Sequence, residues 1–197
     1  MTDSYRELLL GCGHARDKRV TSYFRHIWNS GPSWNDLTTV DCEAGCNPDI
    51  VADLNSVPWS WSDDDYYHEV HAYEVLEHLG QQGDATAFFA TFSEIWRVLV
   101  PQGYLVATCP SRFSEWLWGD PGHRRTILPC TLQFLDQTRY PLQLRVTAMS
   151  DYRRLYRADF SVVYTHDDKT THQFILQAVK PARLEGSRND QPPVTDH

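Results

Sequence analysis

Glu7 to Leu10 runs without a break into Gly11-Cys12-Gly13, and that junction restricts the fold more than any other part of the chain. A short apolar run ending in a turn signal reads as a strand buried in a sheet. Glycines at its carboxyl end let the main chain turn tightly and offer amide donors ahead of a helix. The next segment agrees: from Ala15 to Asn29, Val20, Tyr23, Phe24 and Ile27 recur at helical spacing until Gly31-Pro32 ends the run.

The same alternation continues. Leu37 to Val40 is expected as a strand closing on Asp41, and Asp49 to Ala52 as one closing on Asp53. Tyr67 to Tyr73 is a third, followed directly by Glu74-Val-Leu-Glu-His78. A long helix is predicted over Ala85 to Leu99, with Phe88, Phe89, Phe92, Ile95, Trp96 and Leu99 on its apolar face. Pro101-Gln-Gly103 then turns the chain into a strand from Tyr104 to Cys109. Strands alternating with helices imply an α/β fold, a Rossmann-like, doubly wound and mostly parallel sheet. After Pro110 the pattern changes to a loop over residues 111–128 rich in Trp, Gly, Pro and His, and a short helix over Thr131 to Gln137. Phe160 to Thr165 and Thr171 to Val179 flank His166 to Thr170 as an antiparallel hairpin at the sheet edge. We expect one domain over residues 1–181, with 111–157 as a lid and acceptor region, and a disordered polar tail over 182–197.

Composition narrows the setting. At 197 residues and 41% hydrophobic the chain can bury a sizeable core. No apolar run approaches the ~20 residues of a membrane span, and the amino terminus lacks a basic region ahead of an apolar stretch. Five scattered cysteines, with no second Cys or His pair at zinc-ligand spacing after Cys42 and Cys46, read as reduced thiols. A cytoplasmic location is therefore expected. The net charge of −8 argues against non-specific duplex binding. It is uneven: residues 1–100 carry sixteen acids against six bases, whereas Arg112 to Arg157 holds eight arginines against four acids. That local excess would suit an anionic acceptor, or is simply a solvated face. A protein partner is compatible with this surface.

In a doubly wound sheet, ligands bind beyond the carboxyl ends of the strands. Gly11 and Gly13 stand at one such end, Asp41 and Asp53 at two others. A carboxylate in the second position can accept from both hydroxyls of a ribose, and one in the third from an exocyclic amino group of adenine. Each acid alone could be a helix cap; three successive strand ends so equipped point to a nucleoside. A dinucleotide fingerprint fits poorly, because Arg16 fills its third small position and Asp41 stands well past the acid expected about 20 residues beyond the glycines.

In order, LLLGCGHARDKR, LTTVD, PDIVADLNSVPW, YEVLEHL, IWRVLVPQGYLVATCP and DPGHRR resemble the class I S-adenosylmethionine-dependent methyltransferases, and within them the small methyltransferase-11-like group. The resemblance spans roughly residues 6–135. It implies a seven-stranded sheet whose last strand is antiparallel, with S-adenosylmethionine as cofactor. It places Gly11 and Gly13, with Cys12 between them, beside the methionine part, and Asp41, with Cys42 next to it, on the ribose. Asp53 with Leu54 falls at the adenine, and Glu74 near the sulfonium. The chain departs at Leu9, where many members carry an acid, at Ala15 or Arg16 in the third glycine position, and at Gln102 in a usual Pro-Gly-Gly turn. The implied activity is O- or N-methylation of a small-molecule, sugar-like or base-like acceptor. The alternative is a non-catalytic cofactor-binding or structural subunit.

Two segments are candidates for the reacting end. Glu74, Glu77 and His78 lie at i, i+3, i+4, so a helix starting at Glu74 would put all three on one face. His78 then serves as a general base, or the helix terminus is merely capped by acids with the histidine packed on the core. A third reading, suggested by a similar run in quinone-type O-methyltransferases, makes the Glu-x-x-Glu-His face a divalent metal site; the expected set has no metal ligand. In Gly119 to Arg125, His123 could assist the acceptor and Arg124 or Arg125 could hold an anionic group, while Trp116 and Trp118 could wall a planar acceptor or bury the loop.

Overall fold

The computed structural model describes residues 4–19 and 32–183. Seven strands form one sheet: β1 (Arg6–Leu10), β2 (Asp36–Asp41), β3 (Ile50–Val51), β4 (Tyr67–Tyr73), β5 (Leu99–Pro110), β6 (Phe160–Asp167) and β7 (Thr171–Ala178). Their order is β3-β2-β1-β4-β5-β7-β6. Strands β1 to β5 are mutually parallel, and β7 runs antiparallel between β5 and β6. The expected sheet, with its antiparallel terminal hairpin, is the one found. The chain leaves β1 toward β2 on one side and returns to β4 on the other, so strand order reverses between β1 and β4, where a crevice opens.

Side chains alternate across this sheet. Leu8, Leu10, Val70, Ala72, Leu105, Ala107, Phe174 and Leu176 are buried in the larger core, against α1 (Ala85–Val98). Asp84 caps that helix by accepting the Ala87 amide at 2.9 Å, and Phe88, Phe89, Phe92 and Ile95 supply its buried stripe. Leu9, Val106, Ile175 and Tyr73 belong to a smaller cluster with Trp34 and Leu37 packed against it.

Glu7, Glu69 and His71 are also buried. The Lys18 ammonium pairs with Glu7 and lies 3.1 Å from Glu69, His71 meets Glu69 at 2.8 Å and the Tyr73 hydroxyl at 2.7 Å, and the Asn35 amide donates to Glu7. Burial above all pushes the His71 pKa down.

Several expectations change. The apolar positions of the first predicted helix, Val20, Tyr23, Phe24 and Ile27, lie outside the described residues, and the described part of it, Ala15 to Arg19, is irregular. No helix begins at Glu74: that residue has φ +58°, its amide donates to the Thr108 carbonyl, and a single 3-10 turn over Leu76–His78 follows. Strand β5 starts at Leu99, because Tyr67 pairs with Leu99 before the register shifts to Glu69 opposite Tyr104. Gln102, at φ +67°, takes up the left-handed conformation that a glycine would hold more cheaply. The short helix after residue 130 is a 3-10 turn, Thr131–Leu135. Two further short helices are α2 (Trp116–Gly119) and α3 (Arg139–Gln143).

Residues 140–157, expected to serve the acceptor, include much of the cover of α1. Tyr156 is fully buried and packs on Phe89 at 4.9 Å, while the Tyr140 hydroxyl donates to Ser150 O and accepts the Tyr152 amide. At the carboxyl end, Ala182 is buried and Arg183 pairs with Asp159 at 2.7 Å. The remaining tail positions lie outside the described residues.

Candidate active site

Gly11 bends the chain at φ +56°, and a Cβ there would sit 2.4 Å from Val75 Cγ2; the β1 and β4 ends approach this closely because residue 11 has no side chain. Two residues on, the Gly13 amide donates to Asp41 Oδ2 at 2.8 Å. The Glu43 amide donates to Asp41 Oδ1 at 2.9 Å. Asp41 is thereby fixed at the end of β2, and each of its oxygens keeps a lone pair for a further donor.

Asp53, beyond β3, is fixed differently. Its Oδ1 accepts both the main-chain amide and the side-chain amide of Asn55, each at 2.9 Å, and these bonds hold its carboxyl below the usual range. Asn55 Oδ1 in turn accepts the Gly80 amide at 2.8 Å, which ties the loop after β3 to the loop after β4. Nothing in the sequence marks Asn55 for function: its spacing from Asp53 is an ordinary Asx-turn pattern.

These groups surround one cavity of about 370 Å³, open to solvent, whose lining includes Gly11, Asp41, Cys42, Asp53, Leu54 and Glu74. Val75 and Leu79 add apolar wall, and His78, Gly122 and Arg124 close the far rim. Six of the eight expected cofactor contacts thus share a pocket. Cys12 does not: its side chain is buried among Leu9, Tyr73 and Val106, so only its main chain could reach a ligand. Gly13 meets the site through Asp41 and is not part of the lining.

Across the rim, the segment after β5 folds back along the turn after β4. Arg124 and Arg125 amides both donate to the Glu77 carbonyl, at 2.8 and 3.1 Å, and the Gln82 amide donates to Arg124 O at 2.7 Å. Arg125 is not available to an anionic acceptor. Its buried guanidinium donates to the carbonyls of Leu79, Gln81 and Asp84, and it lies 5.3 Å over the Phe88 ring. Arg124 remains at the cavity. Trp116 and Trp118 are 62% and 59% exposed, so they do not bury the loop; Leu117 between them does.

This clamp brings the two expected catalytic histidines together, with ring centroids 4.7 Å apart. His78 lines the cavity, and His123 is outside the lining, reaching it only through the His78 ring. Gly122 permits the contact, since a Cβ there would lie 3.3 Å from the His78 ring. Glu77 faces inward rather than sharing an open helical face with Glu74. It is 0% exposed, 4.0 Å from His123 Nε2, and burial together with the Glu74 carboxylate pushes its pKa up to about 8.

No family model matches the sequence, and no curated protein matches it either. Solved structures do resemble it in fold. One is a SAM-dependent methyltransferase from Archaeoglobus fulgidus, at TM-score 0.51 and 15% identity over 88% of this chain and 86% of that one. Another, from Methanosarcina mazei, is also a SAM-dependent methyltransferase, at TM-score 0.50 and 14% identity over 91% and 94%. The CurJ carbon methyltransferase gives TM-score 0.50 and 17% identity over 90% of this chain and 49% of its own. Strand order, the glycine turn at the switch point and these likenesses together identify the fold as that of the class I S-adenosylmethionine-dependent methyltransferases.

Proposed function

We propose that the chain is a methyltransferase that takes its methyl group from S-adenosylmethionine and places it on oxygen or nitrogen of a small-molecule, sugar-like or base-like acceptor. One observation carries this reading: Gly11, Asp41 and Asp53, from three separate strand ends, line a single cavity of nucleoside size. The donor set suits the cofactor. Asp41 would accept the ribose hydroxyls, Asp53 an adenine amino group, and Leu54, Val75 and Leu79 would flank the base. Glu74 would face the methionine end.

When bound, the cofactor supplies an electrophilic methyl group, and transfer is a displacement in which alignment matters most. The protein's part is to hold the acceptor at the His78–Gly122–Arg124 rim and to manage its proton there. The histidine pair would serve that task, and Arg124 would favour an acceptor bearing negative charge.

The test is calorimetric titration with S-adenosylmethionine and S-adenosylhomocysteine. Binding of both is expected; if neither binds at millimolar concentration the reading is lost. His78→Ala and His123→Ala should keep product affinity and lower labelled-methyl transfer by about 10²–10⁴-fold. Unchanged rates in both variants would remove the histidines from the chemistry.

A further inference from the structure

Glu77, His78 and His123 come from two separated segments, and one potential ligand atom from each lies within 4.8 Å of the others. We infer that this trio is a divalent-cation site at the reacting end of the pocket. The set is not the one expected from the Glu-x-x-Glu-His run alone: Glu74 opens onto the cavity and is outside the trio, and His123, from the segment after β5, completes it.

Two independent features point to a cation. The first is Glu77. Its side chain is fully buried, and Oε1 lies 4.0 Å from His123 Nε2. Neither carboxylate oxygen makes a hydrogen bond of full geometry, its near neighbours being the weakly donating Cys109 thiol and the Glu74 carboxylate. A buried acid without a strong donor is costly to keep, and a metal ion would satisfy it. The second is the orientation of the rings. His78 Nδ1 lies 3.1 Å from the Gly122 carbonyl, and His123 Nδ1 lies 3.2 Å from the Leu117 carbonyl. A carbonyl can only accept, so each Nδ1 carries the proton. In the neutral ring each Nε2 then keeps its lone pair, the tautomer in which that nitrogen can bind a metal. Main-chain carbonyls orient metal-bound imidazoles in this way.

The other buried trio, Glu7, Glu69 and His71, offers a contrast. There the Lys18 ammonium already stands between the carboxylates, so a cation is supplied from within the chain. Around Glu77 the nearby charges are the carboxylates of Glu74 and, 4.0 Å from His123 Nε2, Asp120. Arg125, the closest buried guanidinium in sequence, is spent on carbonyls. The main-chain bonds from Arg124 and Arg125 to the Glu77 carbonyl hold the two segments together without an ion, so the ligands are gathered in advance.

Two imidazole nitrogens and one carboxylate suit Mn²⁺, Fe²⁺, Co²⁺ or Zn²⁺ and not Ca²⁺, which takes six or more oxygens. Three protein ligands leave positions open toward the cavity that His78 lines. This inference rests on the methyltransferase reading for its use: an acceptor oxygen bound at an open position would be held beside the methyl donor, and its hydroxyl proton would be lost to water more readily. In the loaded protein the histidines therefore act through the cation.

The experiment uses the full chain stripped with a chelator and then titrated with Co²⁺, following ligand-field absorption. Thermal unfolding is measured with Mn²⁺, Co²⁺, Zn²⁺ and Ca²⁺, and S-adenosylhomocysteine binding in parallel. One Co²⁺ per chain with a nitrogen–oxygen spectrum is expected, with a rise in Tm for the transition metals and none for Ca²⁺. Glu77→Gln, nearly the same shape, and His123→Ala should each weaken Co²⁺ binding at least tenfold while S-adenosylhomocysteine affinity stays within about twofold. Wild-type protein that binds S-adenosylhomocysteine but shows no Co²⁺ spectrum overturns the cation site and spares the methyltransferase reading. Equal Co²⁺ affinity in wild type and both variants also overturns it, by placing the ion elsewhere. Co²⁺ bound by wild type and lost in the variants, with no S-adenosylhomocysteine binding in any, supports the site and overturns the methyltransferase reading.

Discussion

Asp41 does two jobs with one carboxylate. It accepts the Gly13 and Glu43 amides, which pins the glycine turn to the end of β2, and it presents its remaining lone pairs to the cavity. Removing it leaves the ligand's hydroxyls without an acceptor and releases two main-chain donors. Asp41→Ala should therefore weaken S-adenosylhomocysteine binding by about 1–3 kcal/mol, measured by calorimetry against wild type. Equal affinity would take Asp41 out of the ribose role. Single residues also set the backbone here: Glu74 at φ +58° redirects the chain out of β4, so that its own side chain faces the cavity while Glu77 faces inward.

At the level of elements, what shapes the acceptor side is a clamp between two loops. The turn after β4 offers carbonyls at Glu77, Leu79, Gln81 and Asp84, and the segment after β5 answers with amides and the Arg125 guanidinium. Arg125→Met keeps the apolar stem over Phe88 but leaves buried carbonyls unpaired, which should destabilise the fold by about 1–3 kcal/mol in urea unfolding. Because His123 is carried on the same segment, methyl transfer should fall further than cofactor affinity. A variant as stable as wild type would mean that the clamp is held by main-chain bonds alone.

Across the whole molecule, charge is stored where water does not reach. The Glu7–Lys18–Glu69–His71 network joins the segment after the glycine turn to β1 and β4, and on the far hairpin His172 is buried with its ring held by the Ile127 carbonyl. Burial lowers the pKa of both histidines from the ordinary 6.5. The folded state thus binds these protons less readily than the unfolded chain. Their contribution is complete above that ordinary value and is lost as pH falls toward the folded values. Their share of the stability in urea should shrink between pH 7.5 and pH 5.5, opposite in sign to Glu77, whose raised pKa of about 8 makes it stabilise the fold less as pH rises. His172→Asn, which cannot titrate, should lose less stability than wild type between pH 7.5 and pH 5.5. Parallel profiles for the two proteins would show that His172 is not held neutral.

Much of this was legible from local pattern. Buried strands announce themselves as short apolar runs, and the carboxyl ends of β1, β2 and β3 could be read as Gly-Cys-Gly, Asp41 and Asp53 because sequence neighbours decide where a strand stops. The stripe of α1 followed from its spacing in the same way. The run from Glu74 to His78 was not legible. Its spacing predicts a 3.6-residue period, but the hydrogen bond from the Glu74 amide to Thr108 on β5 goes with a left-handed residue and one tight turn. Arg124 and Arg125 looked alike along the chain, and only packing on Phe88 and the distant carbonyls separates a structural guanidinium from one at the cavity. The meeting of Glu77 with His123, like the pairing of Lys18 with two buried acids, depends on which segments the sheet lays side by side. The sequence by itself determined the strand ends and the chemistry they carry, because these are set by near neighbours. The tertiary structure alone decided which distant side chains share one desolvated volume, because burial and closeness are properties of the packed chain.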